Sequence, residues 1–305
     1  MKLLLIGVTL LSFTINQIAI RIFQVKYEHR GLSLYFFQFV FSMLASMLCF
    51  HTAGNLSGPQ NTTLLYGFLF GICYFLTVLL LSVCFSRGEM VIGSVIVNLS
   101  FIVPIVYSLA VLNERITLTQ IIGTILMGIA IYFSAADKRG EKGKCSQSVL
   151  LFALGAFLCN GLSAVFQKHY RLTSSIDESM LFLSTGYLTA AMFFGFLFVF
   201  KRRSLLAPAP VIKEKAEENE EVSAYLKNIG VYLLAIVAAF STFLGNGLIM
   251  RLSVAVPASI LYPIINGGMT ILIALCSAFC FGEKLTKNKL LLLFFGILAT
   301  VVVNL

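Results

Sequence analysis

The chain has 305 residues, of which 59% are hydrophobic and only 11% are charged. Soluble domains carry about 25% charged residues, so a soluble fold of this length could not cover its surface. The net charge is +9, and the basic residues lie between apolar runs, where they are expected to face the membrane surface. The sequence has no nucleic-acid-binding motif, which argues against nucleic acid as a partner. The seven cysteines show no zinc-binding or CxxC spacing, so neither a metal nor a cofactor is expected.

Long apolar runs recur along the whole chain. A helix needs about 20 apolar residues to cross a bilayer, and the runs are continuous rather than alternating, which favours helices over strands. The sequence therefore predicts an all-α integral membrane protein with ten transmembrane helices, called spans 1 to 10. In chain order the spans are 3–23, 33–53, 63–85, 90–111, 118–135, 148–169, 179–200, 228–250, 256–280 and 288–304.

The connections between the spans are short except for 201–227, which carries a basic and then an acidic run and is interpreted as a polar loop. Lys and Arg are divided unequally, with 17 in the connections that follow odd-numbered spans and 5 on the other side. By the positive-inside rule, the odd connections are cytoplasmic and both termini face outward. We expect a multi-pass protein of the plasma membrane.

Two short motifs indicate an internal duplication. Span 4 is followed by Glu114-Arg115-Ile116-Thr117, and span 9 by Glu283-Lys284-Leu285-Thr286. Each threonine is expected to cap the next helix, and each glutamate to interact with the N-terminal dipole of that helix. The halves, 1–137 and 146–305, contain five spans each. Because five is odd, the second copy lies upside down relative to the first, which makes an inverted repeat.

A five-plus-five duplication with Glu-base-aliphatic-Thr after the fourth span of each half resembles the EamA-type branch of the drug/metabolite transporter superfamily. The resemblance covers essentially the whole chain. It implies two EamA-like repeats and alternating access to a central cavity. Members of the family move amino acids, nucleotide sugars, drugs and other metabolites, so the resemblance does not name a substrate.

Polar residues within the spans are the candidate binding residues, because they are costly in lipid and face a cavity or another helix. Interrupted helices at matching places in the two halves point to a transporter site, and prolines interrupt both span 4 and span 9. The predicted substrate-binding residues are Asn16, Gln17, Tyr74, Asn98, Gln167, Tyr262 and Asn266, with helix breaks at Pro104, Pro263 and Gly267. The alternatives are helix-packing contacts for the polar residues and simple kinks for the prolines.

Charged residues are expected at the membrane surface. All thirteen carboxylates lie in connections or at span ends, so a buried acid of the kind used in proton relays is not expected. Arg21, Lys168 and Arg251 lie near span ends, and we expect them to extend their charged groups to water. An alternative makes Arg21 or Lys168 a contact for an anion at one mouth of the cavity.

These features predict a secondary transporter that moves a small polar metabolite of the amino acid, sugar or nucleotide-sugar class. The direction of transport is left open, and export is one of the two directions. A proton-coupled multidrug exporter is one alternative, and a membrane receptor or assembly subunit without transport is another. An enzyme is not expected, because the spans lack a cluster of His, Asp and Glu. The expected partners are a small-molecule substrate and the lipid bilayer, with the protein a monomer or a homodimer.

Overall fold

The computed structural model describes residues 2–27, 31–54, 60–86, 96–136, 147–174, 176–206, 228–281 and 287–303. Within these ranges the chain forms ten α-helices with defined bounds, a further helical segment at 96–98, and no strand. The ten helices are α1 (Lys2–Tyr27), α2 (Gly31–Thr52), α3 (Asn61–Ser86), α4 (Ile102–Ala110), α5 (Leu118–Ala136), α6 (Gln147–Thr173), α7 (Ser179–Leu206), α8 (Ile229–Ala255), α9 (Ala258–Phe281) and α10 (Lys287–Val303).

Six of the described helices, α1, α2, α3, α6, α7 and α8, are long and apolar enough to cross a membrane. Shorter apolar segments lie in or around the other four helices, at Ile96–Ala110, Leu118–Phe133, Ala258–Ile273 and Leu290–Val302. The short segments are the fourth and fifth helices of each predicted half. An all-helical membrane protein is therefore confirmed, but length and composition establish six candidate spans rather than ten.

In the described part of span 4, a short 3-10 turn lies before Pro104. Residues 87–95 lie outside the described residues, and a 3-10 turn at Leu99–Phe101 directly precedes α4. Proline has no N–H to donate to the carbonyl four residues earlier, which here is the carbonyl of Ser100. The turn therefore coincides with the place where an α-helical hydrogen bond is missing.

Large apolar side chains cover the outside of the bundle. Leu11 and Ile15 of α1 are exposed, as are Met192 and Phe196 of α7. Such surfaces are unfavourable in water but are suited to the hydrocarbon of a bilayer. The outer face of the bundle is therefore a lipid-facing surface.

Many of the helix contacts are preserved when the two halves are exchanged. α1 packs on α8 as α3 packs on α6, and α3 packs on α7 as α2 packs on α8. α1 packs on α9 as α4 packs on α6, while α2 with α7 and α5 with α10 are pairs of equivalent helices. Each of these pairs maps onto another pair, or onto itself, when the first five helices are exchanged with the second five.

The same correspondence reaches two tyrosines. The hydroxyl of Tyr170, at the end of α6, lies 3.1 Å from Oγ1 of Thr63 in the first turn of α3. Tyr27, at the end of α1, lies so close to the first turn of α8 that a Cβ on Gly230 would collide with its hydroxyl. In both places, a tyrosine from the first helix of one half meets the third helix of the other half.

Glycines allow α3 and α7 to pack closely. A Cβ on Gly67 would lie 2.7 Å from the carbonyl oxygen of Phe182, and a Cβ on Gly71 would collide with the carbonyl of Gly186. Residues four apart lie on one face of a helix, and small residues at this spacing let helices approach each other in lipid. Gly67 and Gly71 thus form the close contact between the halves at α3 and α7.

One end of the bundle gathers the N-terminal end of α1 and the connections that follow α2, α4, α6 and α8. We call it the even end. Nζ of Lys2 donates to the carbonyl of Ala255 at 3.1 Å, which brings α1 to the α8–α9 connection. The N–H of Gln60 donates to Glu178 at 3.2 Å, which joins the α2–α3 and α6–α7 connections.

Candidate functional site

Polar side chains in the middle of α1, α6 and α8 form one set of hydrogen bonds. Asn16 donates to Oγ1 of Thr242 at 2.6 Å and to the carbonyl of Ala238 at 3.1 Å. Asn246, one turn further along α8, donates to the carbonyl of Thr242 at 3.3 Å and accepts from Nε2 of Gln167 at 2.8 Å. The predicted residues Asn16 and Gln167 therefore belong to one network that joins the two halves.

A second set of polar side chains lies in α2, α3 and α7. Tyr74 donates to Oε1 of Gln38 at 3.1 Å. The ring of Tyr187 meets that of Tyr74 edge to face at 6.0 Å between centroids, and the side chain of Asn246 lies close enough to Tyr187 to interact with its hydroxyl. Tyr187 thus connects the two sets. We call the central polar network the side chains of Asn16, Gln38, Tyr74, Gln167, Tyr187, Thr242 and Asn246.

Four members of the network lie outside the predicted substrate-binding set: Gln38, Tyr187, Thr242 and Asn246. Of these, Tyr187 and Thr242 carry hydroxyls rather than amides. Tyr187 is only 1% exposed, and a buried tyrosine hydroxyl usually finds a hydrogen-bond partner. A hydroxyl in the middle of an apolar span was therefore the available signal for both residues. Amides and prolines are the more conspicuous residues within the apolar spans.

Tyr262 and Asn266 lie in α9, away from this network. The hydroxyl of Tyr262 donates to the carbonyl of Ala164 in α6 at 3.2 Å, and Asn266 donates to the carbonyl of Tyr262 at 3.0 Å. Asn98 makes no side-chain cap to the 3-10 turn that follows it. In the described contacts, neither Asn98 nor the two α9 residues join the central polar network. Asn98 and Asn266 both remain half-buried.

Gln17 is exposed, but not on the lipid-facing side of α1. Phe13, four residues earlier, packs against Gly245 of α8, and Leu10, seven residues earlier, packs against Gly268 of α9. Residues at these spacings lie on the same face of a helix. Gln17 therefore faces the gap between α8 and α9 rather than the side of Leu11 and Ile15.

Lys168 is 0% exposed, so the expectation that it reaches water is wrong. Its Nζ lies 2.5 Å from Oε1 of Glu114, which the α4–α5 connection places over the end of α6. The other carboxylate oxygen of Glu114 accepts the N–H of Ala258, in the first turn of α9, at 2.9 Å. Arg251 is exposed as expected, and Arg21 is half-buried.

The Glu114–Thr117 motif has two separate structural roles. The N–H of Gln120 donates to Oγ1 of Thr117, and the N–H of Thr117 donates to Oε1 of Gln120, both at 3.3 Å. This reciprocal pair is a capping box at the start of α5, as the sequence predicts for the threonine. Glu114 instead caps α9, because Asn113 has a positive φ of 51° and turns the chain away from α4. The second motif, Glu283–Thr286, lies outside the described residues.

A cavity of about 310 Å³ opens beside Glu114 at the even end. Its lining residues are Glu114, Arg115, Leu172, Ser253, Val254, Ala255, Val256 and Pro257. Small-molecule pockets have volumes from about 300 Å³ upward, so the cavity has room for a small solute. No group of three His, Cys, Asp or Glu side chains suited to a metal ion occurs in the described part of the chain.

The lipid-facing exterior and the hydrogen-bonded polar interior define a polytopic helical membrane protein. A solved structure described as "Crystal structure of protein" matches it with a TM-score of 0.65 and 11% sequence identity, over 98% of this chain and 94% of that chain. This likeness concerns the fold alone.

A comparison with curated protein sequences gave no match. The sequence profile of the EamA-like transporter family matches residues 1–136 and again 147–305. The chain belongs to the EamA-like transporter family, and the resemblance indicated by its two Glu-base-aliphatic-Thr motifs is confirmed.

Proposed function

We propose that this protein is a secondary transporter that carries a small polar metabolite across the plasma membrane by alternating access. The central polar network is the observation that carries the proposal. It places amides and hydroxyls of α1, α2 and α3 against those of α6, α7 and α8, in the middle of an otherwise apolar bundle. Such groups can exchange their hydrogen bonds for those of a solute.

The proposed transport cycle needs two halves that move against each other. The exchangeable helix pairs and the equivalent tyrosines Tyr27 and Tyr170 support an inverted repeat of five plus five helices. In this arrangement the short helices α4, α5, α9 and α10 also cross the membrane, which gives ten spans. Inverted repeats whose substrate site lies at their interface are typical of alternating-access transporters.

The side chains of the central polar network are uncharged, which favours a solute whose central part is neutral. Amide, hydroxyl and phenol groups make up the central polar network, and the half-buried Asn98 and Asn266 are further amides of the sequence-predicted site that lie outside this network. Amino acids, sugars and nucleotide sugars all present groups that such side chains can bind. The site would need no cofactor, and the transporter could act as a monomer or a homodimer.

The test is flux into liposomes that contain the purified protein. We expect saturable uptake of at least one compound from a panel of amino acids, sugars and nucleotide sugars, and no uptake into protein-free liposomes. Transport confined to lipophilic cations would instead identify a multidrug exporter. Absence of flux for every compound, with correctly folded protein in the liposomes, would contradict a transport function.

Two variants test the predicted site. Asn98→Ala and Asn266→Ala each remove an amide that we propose contacts the solute, and we expect at least a tenfold loss of kcat/KM, because an unpaired polar group on a bound solute costs about 1–3 kcal/mol. Asn61→Ala is the matched control, since Asn61 is exposed at the start of α3. Full flux in both site variants would remove these residues from the site.

A further inference from the structure

Lys168 carries a fully buried ammonium group. Its side chain is 0% exposed, whereas the side chain of Glu114, its counter-ion, is 24% exposed. A buried charge is tolerated when it is paired, and removing one partner of such a pair is strongly destabilising. The ammonium form of Lys168 therefore needs an anion beside it.

The anion is held from two directions. Oε1 of Glu114 faces Nζ of Lys168 at 2.5 Å, and Oε2 accepts the N–H of Ala258 at 2.9 Å. The backbone N–H groups at a helix N-terminus carry a partial positive charge and favour anions. A buried ammonium and a helix N-terminus, each next to a different oxygen, together match the two oxygens of one carboxylate.

Glu114 reaches this position from a connection in the other half. It lies between α4 and α5, while Lys168 and Ala258 belong to α6 and α9. The cavity of about 310 Å³ is lined by Glu114 and by Arg115, and it extends along residues 253–257 up to α9. A solute in this cavity would therefore have direct access to the carboxylate of Glu114, and Arg115 would favour a solute with negative charge.

We propose that Lys168 and the first turn of α9 form a binding site for the carboxylate group of a transported solute, and that Glu114 occupies this site when no solute is bound. The inference rests on the proposed transport function and adds the substrate class to it: a small solute with a carboxylate and a neutral polar remainder. The carboxylate of the solute replaces that of Glu114, so that Lys168 never lacks a counter-ion. Release of Glu114 also breaks its hydrogen bond to the first turn of α9.

The sharpest test is rescue of a variant that lacks the internal carboxylate. Glu114→Ala leaves Lys168 without its counter-ion, and we expect a lower Tm in detergent. Acetate should restore part of the lost Tm at constant ionic strength, whereas acetamide, which has a similar shape but no charge, should not. The double variant Lys168→Met/Glu114→Ala should not respond to acetate.

The chain offers a matched control at the same end of the bundle. Glu178 also places a carboxylate at a helix N-terminus, where its Oε2 accepts from the N–H of Gln60 and from the hydroxyl of Thr63. No lysine forms an ion pair with it among the described residues. Acetate should therefore stabilise Glu114→Ala but not Glu178→Ala. Equal effects on both variants, or an equal effect of chloride on Glu114→Ala, would overturn a carboxylate site at Lys168.

A second variant keeps the test valid if Glu114→Ala does not fold. Glu114→Gln retains the shape of the side chain, but its neutral amide competes less strongly with acetate for the site at Lys168. Acetate should therefore bind this variant with an apparent Kd at least about tenfold lower than for the unmodified protein. An unchanged Kd overturns the proposal. Flux of neutral solutes without any acetate effect overturns this site alone, whereas acetate rescue without flux supports the site and contradicts transport.

Discussion

At the scale of single residues, Lys168 differs most from what its position in the sequence suggests. It lies five residues before the end of α6, a distance from which a lysine side chain can reach water. The spacing gives the distance to the helix end but not what covers that end. Here the α4–α5 connection covers it and supplies Glu114, so the charge is paired rather than hydrated.

The pKa of Asp177 leads to a prediction about the stability of the protein at low pH. Burial raises its pKa, but hydrogen bonds from Ser179 and the charges of Arg171 and Arg251 outweigh this, so the pKa of Asp177 lies below its ordinary value. A carboxylate with a lowered pKa stabilises the folded state above the unfolded-state pKa, and this contribution is lost as pH falls through the folded-state value. We expect Asp177→Asn to lower Tm at pH 7 and the difference to shrink between about pH 5 and pH 3.

The measurement is thermal unfolding of both proteins in detergent over this pH range. The effect should be below about 1 kcal/mol, because the side chain of Asp177 is 56% exposed to solvent. Ser179→Ala removes the hydroxyl that donates to Asp177 at 2.6 Å and should show the same pH trend with a smaller amplitude. A difference that grows toward low pH would contradict the assigned pKa.

At the scale of elements, the glycines of α9 allow close packing without a break in the helix. The sequence suggests that Pro263 and Gly267 loosen this helix, yet α9 is continuous from Ala258 to Phe281. A Cβ on Gly267 would collide with Met127 of α5, and a Cβ on Gly268 would lie 2.8 Å from Leu10 of α1. These glycines therefore let α9 fit between its neighbours.

Gly267→Ala tests this close packing. We expect it to lower the free energy of unfolding by about 1–3 kcal/mol, the usual cost of an extra methyl group in a filled interior. Gly7→Ala in α1 is the matched control, because a Cβ there meets nothing within 4 Å. Alanine is the better helix former by about 1 kcal/mol, so the control should be neutral or stabilising. Comparable losses in the two variants, measured by denaturant titration in detergent, would argue against the packing role.

The polar residues inside the helices were only partly predictable. An amide in an apolar span must find a partner, so Asn16, Tyr74 and Gln167 could be identified as polar contacts from their positions alone. Their partners Thr242, Gln38 and Asn246 could not, because the sequence does not tell which helices are neighbours around the bundle. The sequence also ends span 7 at residue 200, whereas α7 continues to Leu206. Lys201–Arg203 mark the expected edge of the lipid, not the end of the helix.

At the scale of the whole molecule, the orientation in the membrane follows from charge and remains a prediction. The basic residues of the outward side include Lys2, Arg171 and Arg251, all of which lie at the even end. The sequence fixes which connections share a side, because spans alternate in direction. It leaves the choice of side to the positive-inside rule.

A labelling experiment decides the orientation. Cys145 lies in the connection between the fifth and sixth spans, which is predicted to be cytoplasmic. In intact cells, a membrane-impermeant maleimide should leave Cys145 unmodified. Ile176→Cys, at an exposed position of the α6–α7 connection, should be modified from outside in a Cys145→Ser background. The reverse pattern would place the even end in the cytoplasm.

Gln120 has a mechanical consequence for opening the even end. Its Oε1 accepts from the N–H of Thr117 in the α5 capping box and from the hydroxyl of Ser259 at 2.8 Å. One oxygen atom thus ties the beginnings of α5 and α9 together, and α5 in turn packs along α10. We expect α5, α9 and α10 to move together as one rigid unit that rotates about Asn113. A bend of α9 alone at Pro263 is not expected.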